Sequence, residues 1–182
     1  LARALRAAGH EVAVLPRAPG ALSEQLPRQG VPFPAVPDLV RPIAPRRDVA
    51  ALRALIRELK ALRPDLVTTH SAKAGWLGRL AARRLGLPVL FTAHAWAFTE
   101  GVPPASRRLY TLAERLAAPL ADHILTVSDY DRALALAHRI APAERITRIH
   151  NGVRDRPRPP PRPSSAAVQL VMIGRFSPQK DQ

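Results

Sequence analysis

From Asp65 onward the chain alternates short apolar runs with helical periods, and this alternation limits its fold more than any other feature. Asp65 to His70, Pro88 to Ala93, Asp122 to Val127 and Arg145 to His150 have the length and residue types of strands. Between them, Ser71 to Leu85 (with Gly86 as its stop), Pro104 to Leu120 and Ser128 to Ile140 carry apolar residues at helical spacing. A strand joined to the next through a helix makes a crossover, and crossovers build parallel sheets. The runs lack strict apolar–polar alternation, which points to strands buried on both faces. The expected class is α/β, a Rossmann-like doubly wound parallel sheet.

Upstream, Leu1 and Leu5 lead to a Gly9 stop, and Glu11 to Leu15 reads as a strand. Residues 16 to 47 are broken by prolines, with a brief strand expected at Val31 to Ala35. Asp48 is expected to cap a helix whose Val49, Leu52, Leu55, Ile56, Leu59 and Leu62 share a face, and Arg63-Pro64 ends it. Downstream, Arg154 to Ser165 is rich in Pro, Arg and Ser without periodicity and reads as a semi-stiff linker. A new apolar strand starts at Val168. The expected organisation is an α/β domain over residues 1–152, a linker over 153–166 and the start of a second domain over 167–182. A lone strand cannot stabilise itself, and the chain opens inside a helical pattern without an initiator Met. The sequence is therefore expected to be a fragment of a longer protein.

Composition narrows the chemistry. Cysteine is absent, so there is no disulfide framework and no thiolate metal site, which fits a cytoplasmic protein. No apolar stretch is long enough to span a bilayer. The net charge is +14, and every basic residue except Lys60, Lys73 and Lys180 is Arg. Two readings compete: attraction to an anionic partner such as nucleic acid or a membrane surface, or a bias towards Arg, Ala and Pro. The arginines are scattered, with pairs such as Arg83-Arg84 and Arg107-Arg108 but no tract. Bias accounts for most of the charge, and no nucleic-acid partner is expected. There is no P-loop, no Gly-x-Ser-x-Gly elbow, no complete dinucleotide fingerprint and no metal-ligand spacing. NTPase, serine hydrolase, dehydrogenase and metalloenzyme are disfavoured.

Ligands of open parallel α/β sheets bind beyond the carboxyl ends of the strands. The residues expected at that rim are His70-Ser71, His94, Ser128 and Asn151-Gly152. An imidazole such as His94 at a strand end can donate to a sugar hydroxyl or carry charge near neutral pH; the alternative is a His bonded to loop carbonyls. His70 either shares that role or orients the loop bearing Ser71 and Lys73. Ser71 suits a helix N-cap, where free amides and the Lys73 charge would favour an anion; plain capping with a solvated Lys73 is the other reading. Gly75 and Gly78 would allow close helix–strand contact. Ser128 with Asp131 has capping-box spacing, and Asn151-Gly152 is a turn pair. Trp96 and Phe98 either pack their loop or stack on a sugar ring. The second cluster is Gly174-Arg175-Phe176-Ser177-Pro178-Gln179-Lys180. Its glycine lets backbone approach a ligand, and two cations in one loop suit a diphosphate, Arg175 as a fork and Lys180 as a point charge. The alternative is an ordinary polar loop.

Taken in order, Thr69-His70-Ser71-Ala72-Lys73-Ala74-Gly75, Phe91-Thr92-Ala93-His94-Ala95-Trp96, His150-Asn151-Gly152-Val153 and Gly174 to Lys180 resemble the retaining GT-B glycosyltransferases of family 4, in the branch that builds bacterial cell-surface polysaccharide. The resemblance implies two Rossmann-like domains across a cleft, with the acceptor on the first and a nucleotide-sugar on the second. It implies His94 as the catalytic residue beside the transferred sugar, and Gly174, Arg175 and Lys180 on the donor diphosphate. His70, Ser71 and Lys73 then fall on the acceptor side. It further implies no metal, no cofactor beyond the donor substrate, a lipid-linked saccharide acceptor, and a cytoplasmic protein in peripheral contact with an anionic inner membrane. The family's glycine-rich first loop and Glu-rich carboxylate motif have no counterpart between residues 1 and 182, so the fragment alone is expected to be inactive. A sugar-nucleotide epimerase of the same fold and a non-catalytic basic module for nucleic acid or acidic glycan are the alternatives.

Overall fold

Four short strands pair in parallel in their order along the chain. The computed structural model describes residues 1–17, 21–40, 42–153, 155 and 157. The chain divides into two units, Leu1–His150 and Asn151–Gln182, and all the elements below belong to the first. The strand expected from Val168, the loop from Gly174 to Lys180 and most of the linker lie outside the described residues.

Helices α1 (Ala2–Ala7), α2 (Ala21–Arg28) and α3 (Pro45–Leu62) precede the sheet. Then come β1 (Val67–His70), α4 (Ala72–Arg84), β2 (Val89–Ala93), α5 (Pro104–Ala117), β3 (His123–Thr126), α6 (Asp129–Ala137) and β4 (Ile146–Arg148). The expected βα rhythm is therefore present, with ends shifted by a few residues. Register places Thr69 beside Phe91, Phe91 beside Ile124 and Ile124 beside Ile146. That face is buried, whereas on the other Thr92 is buried, Leu90 and Leu125 are half-buried and Thr68 and Thr147 exposed. The expected two-sided burial is thus only partial among the described residues.

Upstream of the sheet the structure departs from expectation. Glu11 to Leu15 and Val31 to Ala35 are not strands. Two backbone bonds tie these extended segments, from Val14 N–H to the Pro32 carbonyl and from Val36 N–H to the Pro16 carbonyl. Pro16, Pro32 and Pro34 have no N–H to donate, so no ladder extends from them. Helix α2 forms despite Pro27 near its end and was not expected. Asp48 is not the cap of α3. The helix starts a turn earlier at Pro45, and Asp48 reaches back to accept the Ala44 N–H at 3.1 Å. Arg63, in the left-handed region at φ 46°, ends α3 just before Pro64.

Two apolar clusters hold the unit. Ala51, Leu55 and Leu59 of α3 pack on Ala81 and Ala82 of α4, with Val36 and Val89. Phe91, Trp96, Phe98, Ile124, Ala135, Ile140 and Ile146 form the other. Helix α4 sits close on β1 and β2 because of its glycines. A Cβ on Gly75 would fall 2.6 Å from Phe91 Cε2, and one on Gly78 would fall 2.7 Å from Thr69 Cγ2.

Beside these glycines lies Arg79, 0% exposed. Its Nη2 donates to Glu114 Oε2 at 3.0 Å and its Nε to the Gly75 carbonyl at 3.0 Å. Its guanidinium carbon lies 4.0 Å from the Phe91 ring centroid. The pair ties α4 to α5 beside β2. Burial pushes the Glu114 carboxyl up, and the Arg79 charge pulls it back. Two desolvated charges gain little as a pair, but one left alone is costly. Glu114→Leu is therefore expected to lower the unfolding free energy by about 3–5 kcal/mol in urea titrations. Adding Arg79→Met should restore most of that loss; a double variant as unstable as the single would contradict the pairing.

Candidate functional site

Parallel pairing brings the strand ends to one rim, and the histidines meet there. β1 ends at His70, and His94 follows the last residue of β2. His70 Nδ1 lies 3.0 Å from His94 Nε2, and the rings stack with centroids 5.3 Å apart at 29°. On the far side of His70, Thr68 Oγ1 lies 3.3 Å from Nε2. Thr68 and His70 are two residues apart on a strand and so share a face.

This chain of contacts constrains the tautomers. Two neutral imidazoles can share one proton in either direction. If the Thr68 hydroxyl donates to His70 Nε2, then His70 Nδ1–H donates to His94 Nε2, and His94 presents its Nδ1–H as a free donor. In the reverse direction His94 presents a lone pair instead. Burial pushes the His70 pKa below the ordinary histidine value, and the neighbouring His94 adds to the shift. His70 is half-buried and His94 exposed, so the outer ring can reach a ligand while the inner one orients it.

Ser71 follows His70 with φ 66° and ψ 161°, a region that glycine occupies with ease and other residues rarely. It holds the N-cap position of α4, but its side chain makes no capping bond, contrary to the expected role. The backbone strain sits beside the histidine pair, where the chain turns sharply from β1 into the helix. Lys73 is not a free charge at that turn. It pairs with Asp48 of α3 and donates to the Pro42 carbonyl. Burial would push the Asp48 carboxyl up, but the Lys73 and Ala44 hydrogen bonds outweigh it and hold the pKa below the usual value.

The rest of the rim is braced. Ser128 accepts the Asp131 N–H at 3.0 Å as the N-cap of α6, but its hydroxyl donates to Asp131 Oδ2 at 2.6 Å, so the expected capping box is only half formed: the carboxylate takes the hydroxyl rather than the Ser128 N–H. The His150 Nδ1 lies 3.1 Å from the Val127 carbonyl, between the ends of β3 and β4. Trp96 and Phe98 are buried and stack 5.2 Å apart, so they pack the loop after His94 and are closed to a sugar ring. The Trp96 indole N–H donates to the Asp131 carbonyl at 2.8 Å, anchoring that loop to α6. Thr68 and the Trp96–Asp131 brace were not foreseen. The two-residue spacing of Thr68 and His70 was the available signal for the first. Gly174, Arg175 and Lys180 lie outside the described residues. No cluster of three or more His, Cys, Asp or Glu side chains that could hold a metal exists among the described residues.

A family model described as Glycosyltransferase Family 4 matches residues 1–156. The UDP-Gal:alpha-D-GlcNAc-diphosphoundecaprenol alpha-1,3-galactosyltransferase of Escherichia coli is 34% identical over 119 residues, covering 65% of this chain and 31% of that protein. A glycosyltransferase from Rickettsia africae superposes with a TM-score of 0.63 at 18% identity, over 84% of this chain and 38% of that one. A UDP-N-acetylglucosamine 2-epimerase superposes with a TM-score of 0.54 at 18% identity, over 74% of this chain and 38% of the other. At such identities the superpositions show the shared fold. The chain spans about a third of the length of these relatives, 31% of the Escherichia coli protein.

The histidine contact has a measurable consequence. His70 should titrate below the ordinary histidine range in proton NMR, and His94→Ala should move its midpoint upward, because the neighbouring ring helps to depress it. The unfolded chain binds that proton more readily, so stability from the neutral His70 is full above the ordinary histidine pKa and falls as the pH drops through it. An unchanged midpoint in His94→Ala would show that the rings do not interact.

Proposed function

This chain belongs to glycosyltransferase family 4, and from that premise we propose that it forms the acceptor-facing part of an enzyme that moves a sugar from a nucleotide-sugar to a lipid-linked or polysaccharide acceptor with retention of configuration. The observation that carries the reading is the exposed His94, fixed by His70 at the carboxyl rim of the sheet. The Escherichia coli relative, by its name, supports a UDP-sugar donor and a diphospholipid-linked sugar as acceptor.

In this proposal His94 hydrogen-bonds the transferred sugar, and His70 with Thr68 sets the tautomer it presents. Gly174 lets backbone approach the donor diphosphate, and Arg175 and Lys180 hold it. The bond from the anomeric carbon to the diphosphate oxygen breaks, and its electron pair leaves with the phosphate, whose charge the two cations stabilise. The acceptor oxygen bonds the anomeric carbon on the same face, and its proton passes to the departing phosphate oxygen. Ser71, with His70, lines the acceptor side. Lys73 contributes there by holding α4 to α3 through Asp48. The chemistry needs neither metal nor cofactor. The biological setting is cell-surface polysaccharide synthesis on the cytoplasmic side of the membrane. A second reading, a sugar-nucleotide epimerase, is open because such an enzyme shares the fold. It predicts an altered sugar nucleotide and no transferred sugar.

Sugar transfer by the complete enzyme should survive chelation by EDTA. His94→Ala, which removes a hydrogen bond that strengthens in the transition state, should lower kcat by about a hundredfold or more, with donor affinity little changed. Arg175→Ala and Lys180→Ala should each weaken nucleotide-sugar binding by about tenfold or more, the scale of a charge-assisted hydrogen bond. Undiminished donor binding in both variants, read by calorimetry, would remove the diphosphate assignment.

A further inference from the structure

The carboxyl rim keeps one aromatic ring in water. Phe91, Trp96 and Phe98 are buried, but Tyr130, the second residue of α6, is 49% exposed. No aromatic ring or guanidinium among the described residues covers its face. Helix α6 begins just after β3 ends, so Tyr130 stands one strand over from His94.

This ring is held at both ends. At its tip, Tyr130 Oη lies 3.3 Å from Thr99 Oγ1, in the loop that follows His94. At its base, the adjoining residue is bonded three times: Asp131 N–H donates to Ser128 Oγ at 3.0 Å, Asp131 Oδ2 accepts the Ser128 hydroxyl at 2.6 Å, and its carbonyl accepts the Trp96 indole N–H at 2.8 Å. A binding surface fixed in this way loses little freedom when a ligand settles on it.

The residue before Tyr130 supplies polar groups. Asp129 Oδ1 lies 3.0 Å from Arg148 Nε, with side chains 77% and 40% exposed. Arg148 ends β4, and register sets it beside Thr126, which lies beside Ala93. His94, Tyr130 and the ion pair thus occupy one rim over three neighbouring strands, about 10 Å across as two inter-strand spacings. An ion pair this open adds little to stability. Its carboxylate and guanidinium keep acceptors and donors to spare.

A pyranose ring fits these groups. One of its faces carries C–H bonds, which suit the negative face of an aromatic ring. Its edge carries hydroxyls, which can donate to a carboxylate and accept from a guanidinium. The Asp129 charge repels a phosphate, so a neutral polyol is favoured over an anion at this place. We propose that Tyr130 is the stacking platform for the acceptor's pyranose ring, with Asp129 and Arg148 on its hydroxyls. The inference deepens the proposed function and rests on it for identifying that sugar as the acceptor.

The test is titration of the complete protein with methyl N-acetyl-α-glucosaminide, without donor, read by saturation-transfer NMR. Saturation is expected on the ring C–H protons. Tyr130→Ala should raise the Kd about tenfold, the scale of a ring contact, and Arg148→Met about tenfold, the scale of a hydrogen bond to a charged group. Tyr130→Phe keeps the platform and should bind like the parent. Far-UV circular dichroism should be unchanged in all three, since these side chains are open to solvent. No binding of the glycoside, equal binding by Tyr130→Ala, or a Tyr130→Phe variant as weak as Tyr130→Ala would overturn the proposal. Because no donor is present, any of these results leaves the transfer chemistry standing. An enzyme that alters its sugar nucleotide without transferring the sugar would instead remove the proposed function, and the acceptor assignment with it, while the pyranose contact at Tyr130 remained.

Discussion

The close seat of α4 on the β1–β2 pair is the constraint on which the rest of the structure depends. Gly75 and Gly78 leave room for Phe91 and Thr69 where any side chain would collide. That approach lets Arg79 lie over the Phe91 ring and reach Glu114, so α4 and α5 are joined beside β2. It also brings β1 to its end directly before a helix, which forces the abrupt turn at Ser71 and leaves His70 facing His94. The packing, the backbone strain and the histidine contact are three consequences of one small helix–sheet spacing.

The rim built on this seat is stiff on one side and open on the other. Trp96 ties the loop after His94 to α6, and the Ser128 N-cap fixes where α6 starts. Lys73 and Asp48 clamp the first turn of α4 to α3. His94 itself stays exposed. A polar group held in one orientation by a dry scaffold, with its outer edge in water, is the arrangement a transferase needs to meet a sugar without paying to reorganise.

Much of this was legible in the sequence, for identifiable reasons. The strands β1 to β4 and helices α4 to α6 announce themselves because apolar runs and 3.6-residue periods alternate between turn residues. The rim position of His70 and His94 follows from parallel pairing alone, and the glycines of α4 were readable as close-contact residues. Upstream, prolines removed the donors that a ladder requires, so apolar segments such as Glu11 to Leu15 stayed extended without becoming strands. The Arg79–Glu114 pair was not legible, because its members are 35 positions apart and nothing local marks either as buried. Helix α5 misleads in the opposite sense: its leucine periodicity suggests a core face, yet Thr111, Glu114 and Ala117 are the residues turned inward. The diphosphate loop from Gly174 rests on its residue types and the family resemblance, since it lies outside the described residues.

The central claim is that His94, oriented by His70, meets the sugar being transferred. A crystal structure of the protein with an intact nucleotide-sugar tests it most directly. The account predicts a hydroxyl of the donor sugar within about 3 Å of His94 Nδ1, with the His70–His94 contact retained. A donor sugar bound away from this imidazole, or a His94 ring turned from the ligand, would contradict it.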